Sequence, residues 1–164
     1  MNNSICTLFD NILIDIHKFK SLHYFALFYY IPSMSDSLKL TLPKVERLNS
    51  RILIERLFTG GSKSLPAFPL RIVYMPVEGE NLPAATILIS VPKKRFKRAV
   101  KRNRVKRQVR EAYRKNKHIL LDALKDSGRK IAIAFIWLDN ELHESADVEA
   151  KVVKLLQLTA ERLA

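Results

Sequence analysis

A chain of 164 residues, 48% hydrophobic and 27% charged, is long enough for one well-cored domain with an extension, too short for two comfortable domains, and too apolar for global disorder. Its net charge of +13 is concentrated: the 23 residues from Lys93 to Lys115 hold 13 basic side chains and one acid, while the other 141 carry 16 basic and 15 acidic groups. A nearly neutral body with one cationic block points to a polyanionic partner, because a phosphate array gains counterion-release entropy when lysine and arginine dock on it.

In chain order, residues 1–33 hold seven of the fourteen aromatics and are expected to be an extension, either from an upstream start or as an amphipathic segment. Their longest apolar run, "LHYFALFYYI" at 22–31, is about half of what a membrane-spanning helix needs. Acids at Asp10 and Asp15 upstream of it, and a poor cleavage site, argue against a signal peptide. A single cysteine, Cys6, cannot form an internal disulfide, which fits a reducing cytoplasm. The turn-rich "IPSMSDS" reads as a linker, and the compact domain is expected over 34–164.

Within that domain, "NSRILIERLFTGG" offers Asn49 or Ser50 as an N-cap, a stripe through Ile54, Leu57 and Phe58, and Gly60 as a stop: a short helix. "PLRIVYMPV" at 69–77 predicts a strand, and "AATILISV" ending at Val91 predicts another. A further short strand is expected, if anywhere, between Glu78 and Leu82. After Pro92 comes a basic helix that continues weakly, or after a break, into "HILLDALK". "KIAIAFIWL" at 130–138 predicts a buried strand. In the last segment Val148, Val152, Leu155, Leu156, Thr159 and Leu163 recur at helical spacing behind a Ser145 cap. This order describes an α+β sandwich, helices on a mostly antiparallel sheet, with one parallel pair made by a strand, helix, strand unit at 86–138.

On the basic helix, at about 100° per residue, Val105, Val109, Ala112 and Tyr113 share one side. Opposite them lie Asn103, Arg107, Arg110 and Arg114, with Arg104 beside this row and Lys106 on its other flank. Solvated charge runs are usually laced by acids three or four residues away, but here only Glu111 is available, within reach of Arg107 and Lys115. An unpaired ridge rich in arginine suits bidentate phosphate contact, so nucleic-acid binding is expected. No leucine heptads follow and no zinc-ligand spacing exists, which favours a structured RNA over DNA.

The run Lys93-Lys94, Ala99-Val100, Arg102-Asn103-Arg104, Lys106-Arg107 and Arg110-Glu111-Ala112 resembles the signature of the bacterial ribonuclease P protein subunit. The likeness extends from about Leu40 to Leu163, with Pro92 where the family often has serine, and has no counterpart for 1–33. It implies a two-layer α-β sandwich with a four-stranded sheet and a left-handed crossover around the basic helix. It also implies that the protein joins a catalytic RNA that removes the 5′ leader from precursor tRNA. In that reading Lys93, Lys94, Lys97, Arg98, Arg102, Asn103, Arg104, Lys106, Arg107, Arg110 and Arg114 contact the catalytic RNA. Phe58 and Tyr74 are expected to receive the single-stranded leader, with Phe68 a weaker candidate.

A protein nuclease would need converging carboxylates, or a histidine beside an acid or lysine. Asp139, Glu141, Glu144, Asp147 and Glu149 read instead as a polar loop and helix start. His17, His23, His118 and His143 lack ligand spacing. No catalytic or metal-binding residue is therefore expected in the protein, and catalysis falls to the RNA with Mg2+ held mainly by that RNA. A ribosomal or other structural RNA-binding protein, and a DNA-binding factor, are the rival readings.

Overall fold

The computed structural model describes residues 41–163 apart from Glu80. The extension at 1–33 and Cys6 lie outside the described residues. A 3-10 turn at Lys44–Glu46 is followed by α1 (Arg51–Thr59), β1 (Lys63–Ala67), β2 (Leu70–Val77) and β3 (Ala85–Ser90). Then come α2 (Ala99–Asn116), α3 (His118–Ser127), β4 (Lys130–Trp137) and α4 (Ser145–Glu161).

The four strands form one sheet in the order β1-β2-β4-β3. β1 with β2 and β2 with β4 are antiparallel, while β3 runs parallel to β4 and reaches it through α2 and α3. The expected parallel pair and mostly antiparallel sheet are thus present. The missing strand is not at Glu78–Leu82, however, but is β1. Only Leu65 of β1 is buried, and Pro66 is tolerated because β1 is an edge strand whose outward side needs no ladder hydrogen bonds. So little of β1 faces the core that its pattern carries almost no period-two signal.

α1 begins where expected: the Ser50 hydroxyl accepts from the Leu53 N–H at 3.4 Å. It ends at Gly60 and Gly61, whose φ of 144° and 78° are open to glycine and strained for other residues. α4 starts one residue earlier than read. Glu144 occupies the N-cap position without a side-chain cap bond. Ser145 is instead the first helical residue, and its hydroxyl accepts from Gln108 Nε2 of α2 at 3.0 Å.

Each sheet face carries its own cluster. One face, with Leu70, Ile72 and Tyr74 of β2 and Ile131, Ile133, Phe135 and Trp137 of β4, packs against α2, α3 and α4. The other presents Val73, Val77, Ala132 and Ala134 to Leu48 and to Leu57 of α1, with Ile54, Met75, Leu88 and Ile136 only partly buried. Among the described residues, three helices therefore cover one face, and one short helix shields part of the other.

Candidate nucleic-acid interface

α2 is built as its periodicity predicts. Val105, Val109 and Tyr113 are fully buried and Ala112 nearly so. Burying a large apolar side chain contributes about 1.5–3 kcal/mol, whereas like charges three or four residues apart cost only a few tenths per pair. The apolar back of the helix thus outweighs the repulsion along its front. On that front Asn103, Arg104, Arg107 and Arg110 are exposed and Lys106 is half-buried. Among the described residues, Lys93, Lys94, Lys97, Arg98, Arg104, Lys106, Arg107 and Arg110 have no acidic side chain within ion-pair distance.

Two members of the expected set are occupied within the chain. Arg102 turns back and donates through Nη1 to the carbonyls of Phe96 at 2.8 Å and Lys97 at 2.6 Å. Its guanidinium holds the loop before α2, whose N-cap Arg98 makes no side-chain cap bond. Arg114 donates to both carboxylate oxygens of Glu111, Nε at 2.9 Å and Nη2 at 2.6 Å. Glu111 was expected within reach of Arg107 and Lys115; it pairs instead with Arg114, three residues on, whose guanidinium fork meets both carboxylate oxygens. The Arg114 hydrogen bond holds the Glu111 carboxyl below its ordinary range. Lys115 finds Glu149 of α4 at 3.3 Å. The uncompensated row therefore ends at Arg110.

Around the edge strand β3 the row continues onto a second surface. The Leu48 N–H donates to the Ile87 carbonyl at 2.8 Å, fixing Arg47 beside β3. Arg47, Lys106 and Arg110 then line one pocket with Leu48, Ile87 and Ile89.

The face under α1 is an apolar floor of small and partly buried residues. Phe58, 50% exposed at the end of α1, stands at its rim. A neighbouring pocket joins Arg56, Thr59, Gly60 and Gly61 to Met75 and Pro76 of β2. Tyr74 does not join Phe58 there. It is 1% exposed and packs in the cluster under α2, α3 and α4, on the opposite face. Successive strand residues alternate faces, so it is Met75 that β2 turns toward the α1 side. Phe68 lies at the β1–β2 turn, the far end of the hairpin from α1.

A family model described as Ribonuclease P matches residues 42–158. The chain belongs to the ribonuclease P protein family. The ribonuclease P protein component of Porphyromonas gingivalis is 46% identical over 115 residues, spanning 70% of this chain and 83% of that protein. That of Chlorobaculum tepidum is 36% identical over 115 residues, 66% of this chain and 74% of that one. The Thermotoga maritima RNase P protein, solved in complex with 1-(4-fluorophenyl)-2-thiourea, superposes with a TM-score of 0.54 at 25% identity, covering 68% of this chain and 97% of that chain.

The span matched to the ribonuclease P family contains both the cationic row of α2 and the α1 face. It also contains a pair that the sequence reading passed over. His143 Nε2 donates to Asp139 Oδ2 at 2.6 Å, and this hydrogen bond, with those from the Asn140 and Glu141 N–H groups, holds the Asp139 carboxyl below its usual range. Four-residue spacing was the available signal, but it falls in a loop, where periodicity gives no reason to bring the two together. Among the described residues no three His, Cys, Asp or Glu side chains come together as a metal site. None of the described helices is long and apolar enough to cross a membrane.

Proposed function

We propose that this chain is the protein partner of a catalytic RNA in ribonuclease P, acting in the cytoplasm on precursor tRNA to support removal of the 5′ leader. The observation that carries this reading is the row of arginines and lysines without acidic partners, braced from behind by Val105, Val109 and Tyr113. Lys93, Lys94, Lys97 and Arg98 before α2, and Arg104, Lys106, Arg107 and Arg110 on it, lie against phosphates of the folded RNA. Asn103 adds a neutral hydrogen-bonding group. A rigid helix suits this role, since the cations are ordered before binding and less side-chain entropy is lost.

The leader lies along the α1 face. An extended strand bound without sequence preference needs aromatic faces for bases and cations for phosphates. Phe58 supplies the first and Arg56 the second. Cleavage itself is the work of the RNA, with Mg2+ ions bound mainly there supplying the metal chemistry. The protein supplies substrate affinity and lowers repulsion between the two RNAs, which otherwise takes more Mg2+ to screen.

The test is cleavage of precursor tRNA by the ribonuclease P RNA with and without the chain. At low Mg2+ the protein should raise kcat/KM, and the gain should shrink as Mg2+ rises. RNA binding without any gain in cleavage would instead favour a structural RNA-binding protein.

A further inference from the structure

Among the described residues, two of the exposed large hydrophobic side chains are aromatic: Phe58, already placed beside the leader path, and Phe68. Phe68 is 60% exposed, and the row of basic side chains on α2 does not account for it. Its ring meets His143 edge-on, with centroids 6.3 Å apart and planes at 82°. His143 in turn meets Trp137 at 5.5 Å and 68°. The imidazole is pinned from its other side by Asp139 at 2.6 Å. An exposed ring braced edge-on by a half-buried imidazole, itself set against the buried Trp137, is a preformed platform, not a loose side chain at a turn.

The platform is also tied to the cationic helix. Gln108 Nε2 of α2 donates to the His143 carbonyl at 3.1 Å and to Ser145 Oγ at 3.0 Å. Gln108 and Ser145 share a surface groove with Asn103, Arg104 and Arg107. From Phe68 the surface therefore passes through His143 and Gln108 to two guanidinium groups with no acidic partner. Aromatic faces beside cations match the two halves of a nucleotide: a base to stack and a phosphate to neutralise.

We infer that Phe68, backed by His143, is a stacking site for an unpaired base of bound RNA whose adjoining phosphates lie against Arg104 and Arg107. This rests on the RNA-binding role proposed for α2. A paired base has both faces covered within its helix, so the site takes a single-stranded or bulged nucleotide and not a duplex. It is separate from the α1 face, because Phe68 and Phe58 lie at opposite ends of the β1–β2 hairpin.

Trp137 is the single tryptophan of the chain and touches His143, so its emission reports this corner. The full chain is titrated with a short oligoadenylate and with a short RNA duplex, following both Trp137 emission and binding. Oligoadenylate should change the emission and the duplex should not. Phe68→Ala should weaken oligoadenylate binding roughly 5- to 150-fold and abolish the emission change, leaving duplex affinity intact. Phe68→Tyr should restore both, and Phe58→Ala should leave the emission change in place. Unchanged oligoadenylate affinity in Phe68→Ala, or equal losses on both RNAs, overturns the stacking site. Arg104→Ala with Arg107→Ala should weaken both RNAs. Loss there without loss in Phe68→Ala removes the base site alone, while duplex affinity that survives the arginine changes removes the role of α2.

Discussion

At the residue scale, the pair that joins the segment before α1 to the helical layer is Lys117 with Glu46. Lys117 Nζ donates to both carboxylate oxygens at 2.7 and 2.9 Å, with the two side chains only 11% and 15% exposed. Tyr113 lies nearby: burial pushes its phenol well above the usual range, and the charge of Glu46 adds to the rise. Removing one member strands the other charge in a poorly solvated place, so Lys117→Met should cost about 3 kcal/mol in urea denaturation. Glu46→Gln combined with Lys117→Met should recover most of that loss; a single variant as stable as the parent would show the pair to be idle. Tyr74 gives the opposite case. Its buried hydroxyl has no hydrogen-bond partner, so Tyr74→Phe should leave leader discrimination unchanged and raise stability by up to about 1 kcal/mol. A selective loss of affinity for precursor tRNA in that variant would restore Tyr74 to the leader path. Its face could not be read from the sequence, because Ile72, Val73 and Tyr74 are all buried and alternation vanishes where a strand is covered on both sides.

Among elements, the buried side of α2 was legible because one side alone is apolar, so its four buried positions follow from spacing. β4 was legible for the opposite reason, as an apolar run too short for a membrane span and rich in β-branched and aromatic residues. β1 was not, since an edge strand with one core residue owes its existence to pairing with β2. Nor could the start of α4 be read to the residue, because the Ser145 hydroxyl is claimed by Gln108, 37 positions away in the chain. The candidate cationic set was legible as composition, while Arg102 and Arg114 were separated from it only by their carbonyl and carboxylate partners. The remaining row yields an element-level prediction. Arg104, Arg107 and Arg110 changed together to alanine should lower affinity for ribonuclease P RNA and reduce the slope of log K against log salt by about 2–3. The urea midpoint should hold or rise slightly, because like-charge repulsion is relieved and alanine favours helix. An unchanged salt slope would mean that these side chains do not meet phosphates.

For the whole molecule, the sheet separates two surfaces. The arginines of α2 stand on the face shared with α3 and α4, and Phe58 stands on the other, so the layers between them exceed about 10 Å. Neither the pocket at the β3 edge nor the groove beside Ser145, both lined by α2, includes Phe58. Changes at sites that far apart without shared partners add to within about 0.5 kcal/mol. Phe58→Ala should therefore reduce the preference for precursor over mature tRNA, and the triple arginine change should weaken the hold on ribonuclease P RNA. The combined variant should show the product of the two losses, measured as apparent kcat/KM on substrates with long and absent leaders at RNA subunit concentrations below its Kd for the protein. Coupling well above that limit would mean that the faces communicate through the sheet or through the RNA, as when a leader crosses the β3 edge beside Arg47, Lys106 and Arg110. Moving the same cycle into Arg47→Ala separates these routes: coupling carried by an RNA strand over that edge should fall, and coupling carried by the packed sheet should stay.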